Sequence, residues 1–269
     1  PSPKEPSKEP PIDRLIVKVL LESEDASWID DLFPIWQKQI ITTHRDLVKL
    51  HEGGKRVDRG HAASAYLTWI IENDKYLPNT VVFLPPDHQK QERDFRDAIS
   101  NLQTPFTQSS GFANLHCPSA KTCHDLVLPF RSPPNEFRTL EVAMSTAWEN
   151  IFCNITVPEQ LATPPVAEFV VNKAQVHKRG VEEHLQFWTW LNKTKIDDDT
   201  SGMVFEYLWH VIFGRDRYSV RILRSVNVRF TASARSQAGG FSLTECYNSS
   251  FVHNVDIILR GYKLLPCYW

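Results

Sequence analysis

Short apolar runs rich in β-branched residues alternate with a clear amphipathic helix near the start of the chain, and this alternation constrains the fold most. Residues 12–21 (IDRLIVKVLL) and 80–84 (TVVFL) are continuous apolar runs, as expected of strands buried on both faces. Residues 40–43 (IITT) predict a further strand. Between them, Ala62, Ala63, Tyr66, Leu67, Ile70 and Ile71 recur at three-to-four spacing. This predicts a helix over 59–75, stopped by Pro78. Strand, helix and strand with short links form the βαβ pattern of a parallel sheet.

The second half continues the alternation. Leu140, Met144, Ala147, Trp148 and Ile151 predict a helix over 138–152, residues 166–171 a strand, and Val181, Leu185, Trp188 and Leu191 a helix ending near Asn192. Residues 85–135 are polar and aperiodic, which predicts long loops, and long loops in a compact domain usually carry function. The opening stretch PSPKEPSKEPP (1–11) has nothing to bury and reads as a solvated linker. From residue 215 arginines accumulate at 215, 217, 221, 224, 229 and 235 without sustained periodicity, which sets 218–269 apart as a divergent extension. One α/β domain over 12–217 is the expected organisation.

Composition removes several function classes. Thirty Lys plus Arg oppose 32 Asp plus Glu, so no global field attracts DNA or an anionic membrane. No run of about 18 apolar residues exists to span a bilayer. Five cysteines without a C-x-x-C spacing predict reduced, mostly buried thiols and a cytoplasmic protein. A secretory location is the alternative if an upstream signal or anchor was removed, and sequons at Asn154, Asn192 and Asn248 argue weakly for it. The common motifs of nucleotide-binding loops, serine hydrolases and zinc proteases (G-x-G-x-x-G, G-x-x-x-x-G-K-[ST], G-x-S-x-G, H-E-x-x-H) are missing.

Three segments carry polar groups where chemistry is expected. Residues 202–214 are apolar on nearly every side of a helix, yet Asp199, Glu206 and His210 share one notch. Either Glu206 and His210 satisfy each other as an i,i+4 pair with Asp199 capping the helix, or Glu206 acts as a base at a pocket with His210 beside it. Asp87 and His88 follow the strand at 80–84, where open sheets bind ligands. They are turn residues or, for Asp87, a cation ligand. Glu22, Glu24 and Asp25 follow the first strand and either contact a ribose, base or guanidinium or favour a helix start with Ser27. Asp58 either caps the next helix or stands with Arg59 and His61 facing a phosphate at its N-terminus.

Four stretches together, 24–32 (EDASWIDDL), 60–71 (GHAASAYLTWII) with Leu77-Pro78, 111–117 (GFANLHC) and 201–214 (SGMVFEYLWHVIFG), resemble the fungal domain-of-unknown-function 3431 family. The resemblance runs from about 12 to 214 and ends after Arg217. It implies a glycosyltransferase-A-like α/β fold, a single three-layer sandwich with a mostly parallel sheet. It also implies kinship with tRNA-dependent, arginine-containing cyclodipeptide synthases. Where family members carry a His-Gly-His-like turn, this chain has Pro85-Pro86-Asp87.

Three function classes follow. The first is a transferase that joins activated arginine to a second amino acid. It would use Glu206, His210 and Asp199 for catalysis, Glu24, Asp25, Asp58, Arg59, Asp87 and His88 for substrate, aminoacyl-tRNA as partner and no cofactor. The second is a nucleotide-sugar glycosyltransferase, in which Asp87 would hold a divalent cation. The third is a non-catalytic member that only binds a small molecule.

Overall fold

In a computed structural model, the described residues are 13–21, 24–43, 59–86, 92–115, 126–135, 137–153, 155–162 and 166–214. Strand β1 (Arg14–Leu21) lies between β2 (Gln37–Thr43) and β3 (Thr80–Leu84) and runs parallel to both. Helix α2 (Ala63–Asn73) connects β2 to β3, so the βαβ pattern read from the sequence is present. Its last turn tightens into a 3₁₀ segment (Asp74–Tyr76) before Pro78. Proline cannot supply the N–H that a further helical turn needs.

The sheet is mixed rather than mostly parallel. Its order is β2-β1-β3-β7-β4, with β4 (Phe112–Asn114) at one edge and β7 (Phe169–Asn172) inserted beside β3. The chain enters β7 at the carboxyl end of β3, with Phe169 opposite Phe83, and can only run back along it. Both pairings of β7 are therefore antiparallel. A separate antiparallel pair joins β5 (Leu126–Val127) to β6 (Leu161–Ala162).

Alternation along the strands buries both faces of the sheet. Val17, Val19, Val81, Phe83, Phe169 and Val171 meet α2, α5 (Thr139–Ile151), α7 (Val181–Lys193) and α8 (Asp198–Ile212). Ile16, Val82, Leu84, Ala113 and Val170 meet α1 (Ser27–Leu32) and α3 (Glu92–Ser100) in a second cluster. The remaining described helices are α4 (Thr104–Ser110) and α6 (Lys173–Val176). Ala62, Tyr66 and Ile70 are almost fully buried, and the Tyr66 ring meets Phe83 and Phe169 of the sheet at 4.8 and 5.8 Å between centroids.

Helix α8 is the core of the larger cluster. Eleven of its fifteen residues are buried, as an all-round apolar helix requires. Trp209 packs against Phe169 at 5.2 Å, Phe205 at 5.4 Å and Tyr66 at 5.7 Å between ring centroids. Each fully buried ring contributes about 1.5–3 kcal/mol, so the helix is anchored firmly enough to hold polar groups at its exposed end.

One expectation about the thiols is corrected. Cys153, exposed just beyond α5, is disulfide-bonded. An odd cysteine count without close spacing does not exclude one bridge between positions distant in sequence.

Candidate functional site

The N-termini of α2 and α8 meet, and three consecutive aspartates at the start of α8 divide the work there. Asp197 caps the helix by accepting from the Thr200 N–H at 2.8 Å. That bond holds its carboxyl below the usual range. Asp198 accepts from the Gly60 N–H at 2.8 Å and so ties the two helix starts together. Asp199 does not cap. Its Oδ1 lies 3.2 Å from Nε2 of His61.

His61 is the centre of the site. Its Nδ1 lies 3.1 Å from Oε1 of Glu206, one face of α8 supplying both carboxylates at a spacing of seven. Glu206 therefore pairs with His61, and His210 is buried within the core. His61 has φ +57°, in the left-handed region, and Gly60 before it has φ +64°. A non-glycine residue held there is strained, a feature that clusters at functional sites. The Glu206 hydrogen bond outweighs burial and, with Asp199 and Asp198 adding to it, raises the His61 pKa to about 9. The ring is thus an imidazolium at neutral pH. Side-chain exposure rises from 23% at Glu206 through 31% at His61 to 89% at Asp199, so the triad opens outward.

The surrounding groups fix this geometry. Arg59 donates Nε to the Leu191 carbonyl at 2.9 Å and Nη2 to those of Thr194 and Ile196 at 2.9 and 2.8 Å. It clamps the α7–α8 connection instead of facing a phosphate. Gly60 is needed at its place because a Cβ there would meet Leu191 Cδ1 at 2.7 Å. Tyr66 donates its hydroxyl to the Ala167 carbonyl at 3.1 Å. Burial, then the charges of Glu168 and Glu206, raise its pKa well above the ordinary value.

This site stands at the carboxyl edge of the parallel strands. Ala167 and Glu168 immediately precede β7, whose Phe169 pairs with Phe83 near the end of β3. Ligands of open α/β sheets bind outside that edge. Glu24 lies at the same edge but toward the other face. Its carboxylate is 4.0 Å from Nζ of buried Lys18, which donates to the Pro85 carbonyl and lies over the Phe95 ring. Asp25 accepts from the N–H and hydroxyl of Ser27 at 2.8 and 2.7 Å, and these bonds lower its pKa. That is the helix-start arrangement. Asp58, Asp87, His88 and the arginine-rich segment from 215 lie outside the described residues. Among the described residues, no three His, Cys, Asp or Glu side chains are grouped to hold a metal ion.

The sequence pattern missed the bridge itself. His61 stands apart from Asp199 and Glu206 in the sequence, and spacing assigns no role at a site to Gly202, Tyr66 or Glu168. The available signal was the Gly-His pair opening a helix and a glycine inside an otherwise apolar one.

The family model described as Protein of unknown function (DUF3431) matches residues 15–225. The chain belongs to this family. The DUF3431 match contains every described element of the site and extends past Arg217, where the motif resemblance stops. No curated protein and no solved structure matches the chain.

Proposed function

We propose that this DUF3431 protein is a group-transfer enzyme in which Glu206 is the general base and His61 the general acid. One observation carries this reading: an imidazolium with its pKa raised to about 9 is held between a half-buried and an exposed carboxylate at the carboxyl edge of the sheet. A base and an acid in contact suit a reaction that takes a proton from an incoming nucleophile and returns one to a leaving group.

Aminoacyl transfer uses both. The α-ammonium of one tRNA-esterified amino acid loses a proton to Glu206, and the free amine attacks the ester carbonyl of a second aminoacyl-tRNA, so the dipeptide stays esterified to the first tRNA. The departing ribose oxygen takes a proton from His61. A second attack of the same kind closes a cyclic dipeptide. Exposed Asp199 offers a counter-charge to an arginine guanidinium. The kinship with arginine-containing cyclodipeptide synthases that the family resemblance implies supports this substrate class.

The Cys153 disulfide favours a second reading. Disulfides persist in oxidising compartments, where a nucleotide-sugar glycosyltransferase would work. The same pair would then deprotonate an acceptor hydroxyl, and the glycosyltransferase-A likeness belongs to this reading. Purified full chain incubated with charged arginyl-tRNA plus a pool of aminoacyl-tRNAs, or with a panel of nucleotide sugars, separates the two. A cyclic dipeptide detected by mass spectrometry is expected in the first arm. Product in the second arm alone transfers the assignment to glycosyl transfer, and turnover in neither overturns the enzymatic reading.

A further inference from the structure

We propose that Gly202 is the positioning residue of the acid–base pair: its bare Cα opens the slot on α8 in which the His61 ring lies between Asp199 and Glu206. Asp199, Gly202 and Glu206 follow at spacings of three and four, so they form one row on the helix surface. The ring crosses this row at Gly202. A Cβ at that position would stand 2.6 Å from Nδ1, 2.7 Å from Cγ and 2.9 Å from Cε1 of His61. Three ring atoms on one side leave no small rotation that relieves the contact. The imidazole cannot retreat as a flexible chain end would, because both nitrogens face carboxylates and its backbone is already in the left-handed region.

Local preference argues against glycine at this place. Position 202 is the fifth residue of a fifteen-residue helix, buried, with φ in the ordinary helical range. Alanine would suit the helix better there. A glycine that neither turns the chain nor ends the helix is explained by the ring that rests on it. Moving the ring outward by about 1 Å lengthens its 3.1 Å contact with Glu206 and bends it away from linearity, which weakens it.

The effect on turnover rests on the proposed acid–base reading, whereas the effect on His61 does not. In full-length Gly202→Ala, NMR titration of the His61 ring is expected to show its midpoint falling from about 9 toward the ordinary value, as Glu206, Asp199 and Asp198 recede. Product formation should drop by about 10–10²-fold. A midpoint unchanged near 9 overturns the slot. A lowered midpoint with full product formation upholds the slot and overturns the transfer reading. If Gly202→Ala lowers the melting temperature, the same change made in a His61→Gly background should lower it no further, since the Cβ then meets no ring. A further drop of equal size in that background also overturns the proposal.

Discussion

Nδ1 of His61 lies 3.1 Å from Oε1 of Glu206, across 145 positions of sequence. The bond fastens the start of α2 to the middle of α8, and through them the carboxyl edge of the sheet to its most deeply packed helix. A charged pair placed there is shielded enough to shift the imidazole strongly and still reaches solvent through Asp199.

The His61 bridge should make stability fall in mild alkali. Its folded pKa of about 9 exceeds the unfolded value near 6.5. The folded state therefore holds the proton more tightly, and the contribution is complete below about pH 6.5. It is lost as pH rises through about 9. Allowing for partial exposure, the loss is on the order of 2 kcal/mol. Urea denaturation between pH 6 and 10 should show the decline, and His61→Asn, which tolerates the left-handed backbone, should flatten it. A wild-type profile already flat in this window contradicts the bridge.

Glu206→Gln keeps the side-chain size and an oxygen to accept from His61 while removing the charge. Product formation should fall by about 10²–10⁴-fold, the range for loss of a general base. The His61 midpoint should fall too, because Glu206 is its largest cause. Circular dichroism should be unchanged. A folded Gln variant that forms product at the wild-type rate sinks the catalytic role.

Much of the fold was legible because burial on two faces leaves plain patterns. The run 80–84 comes out as β3, and the apolar pattern at Tyr66 and Ile70 as buried residues of α2, with Tyr66 against Phe83. Helix α3 was not legible: only Phe95, Ala98 and Ile99 of its nine residues are deeply buried apolar groups. Its otherwise charged sequence resembles a loop. The reversal of β7 was hidden for a different reason, since strand direction depends on which end of the sheet the chain re-enters. At the site, the notch of Asp199 and Glu206 was readable from spacing, but its partner was not. Periodicity along α8 cannot reveal that a ring from another helix fills the notch.

Arg59 should prove structural. Three carbonyls, those of Leu191, Thr194 and Ile196, accept from one guanidinium. Arg59→Ala leaves them to find other donors, at a cost of about 1–3 kcal/mol. Arg59→Lys should recover only part, since an ammonium cannot reproduce the planar fork. Thermal melting of both variants checks the order. Equal melting temperatures for Lys and wild type would show that charge alone holds the connection.

His184 supplies an opposite pH effect at the other end of α7's buried face. Its ring is fully buried near Phe187 and Phe213, and neither nitrogen has a hydrogen-bond partner among the described residues. Burial, reinforced by Arg179, lowers its pKa to about 4. Here the unfolded chain binds the proton more tightly, so stability falls as pH drops from about 6.5 toward 4. The loss is on the order of 2 kcal/mol. His184→Leu removes both the titration and two unsatisfied nitrogens at little change in volume. It should leave stability at pH 7 equal or raised by about 1 kcal/mol and should flatten the acid limb, while the alkaline limb set by His61 persists. Urea midpoints of wild type and His184→Leu at pH 4.5 and 7 decide the matter. A Leu variant that loses as much stability in acid as wild type would move the acid sensitivity to other groups.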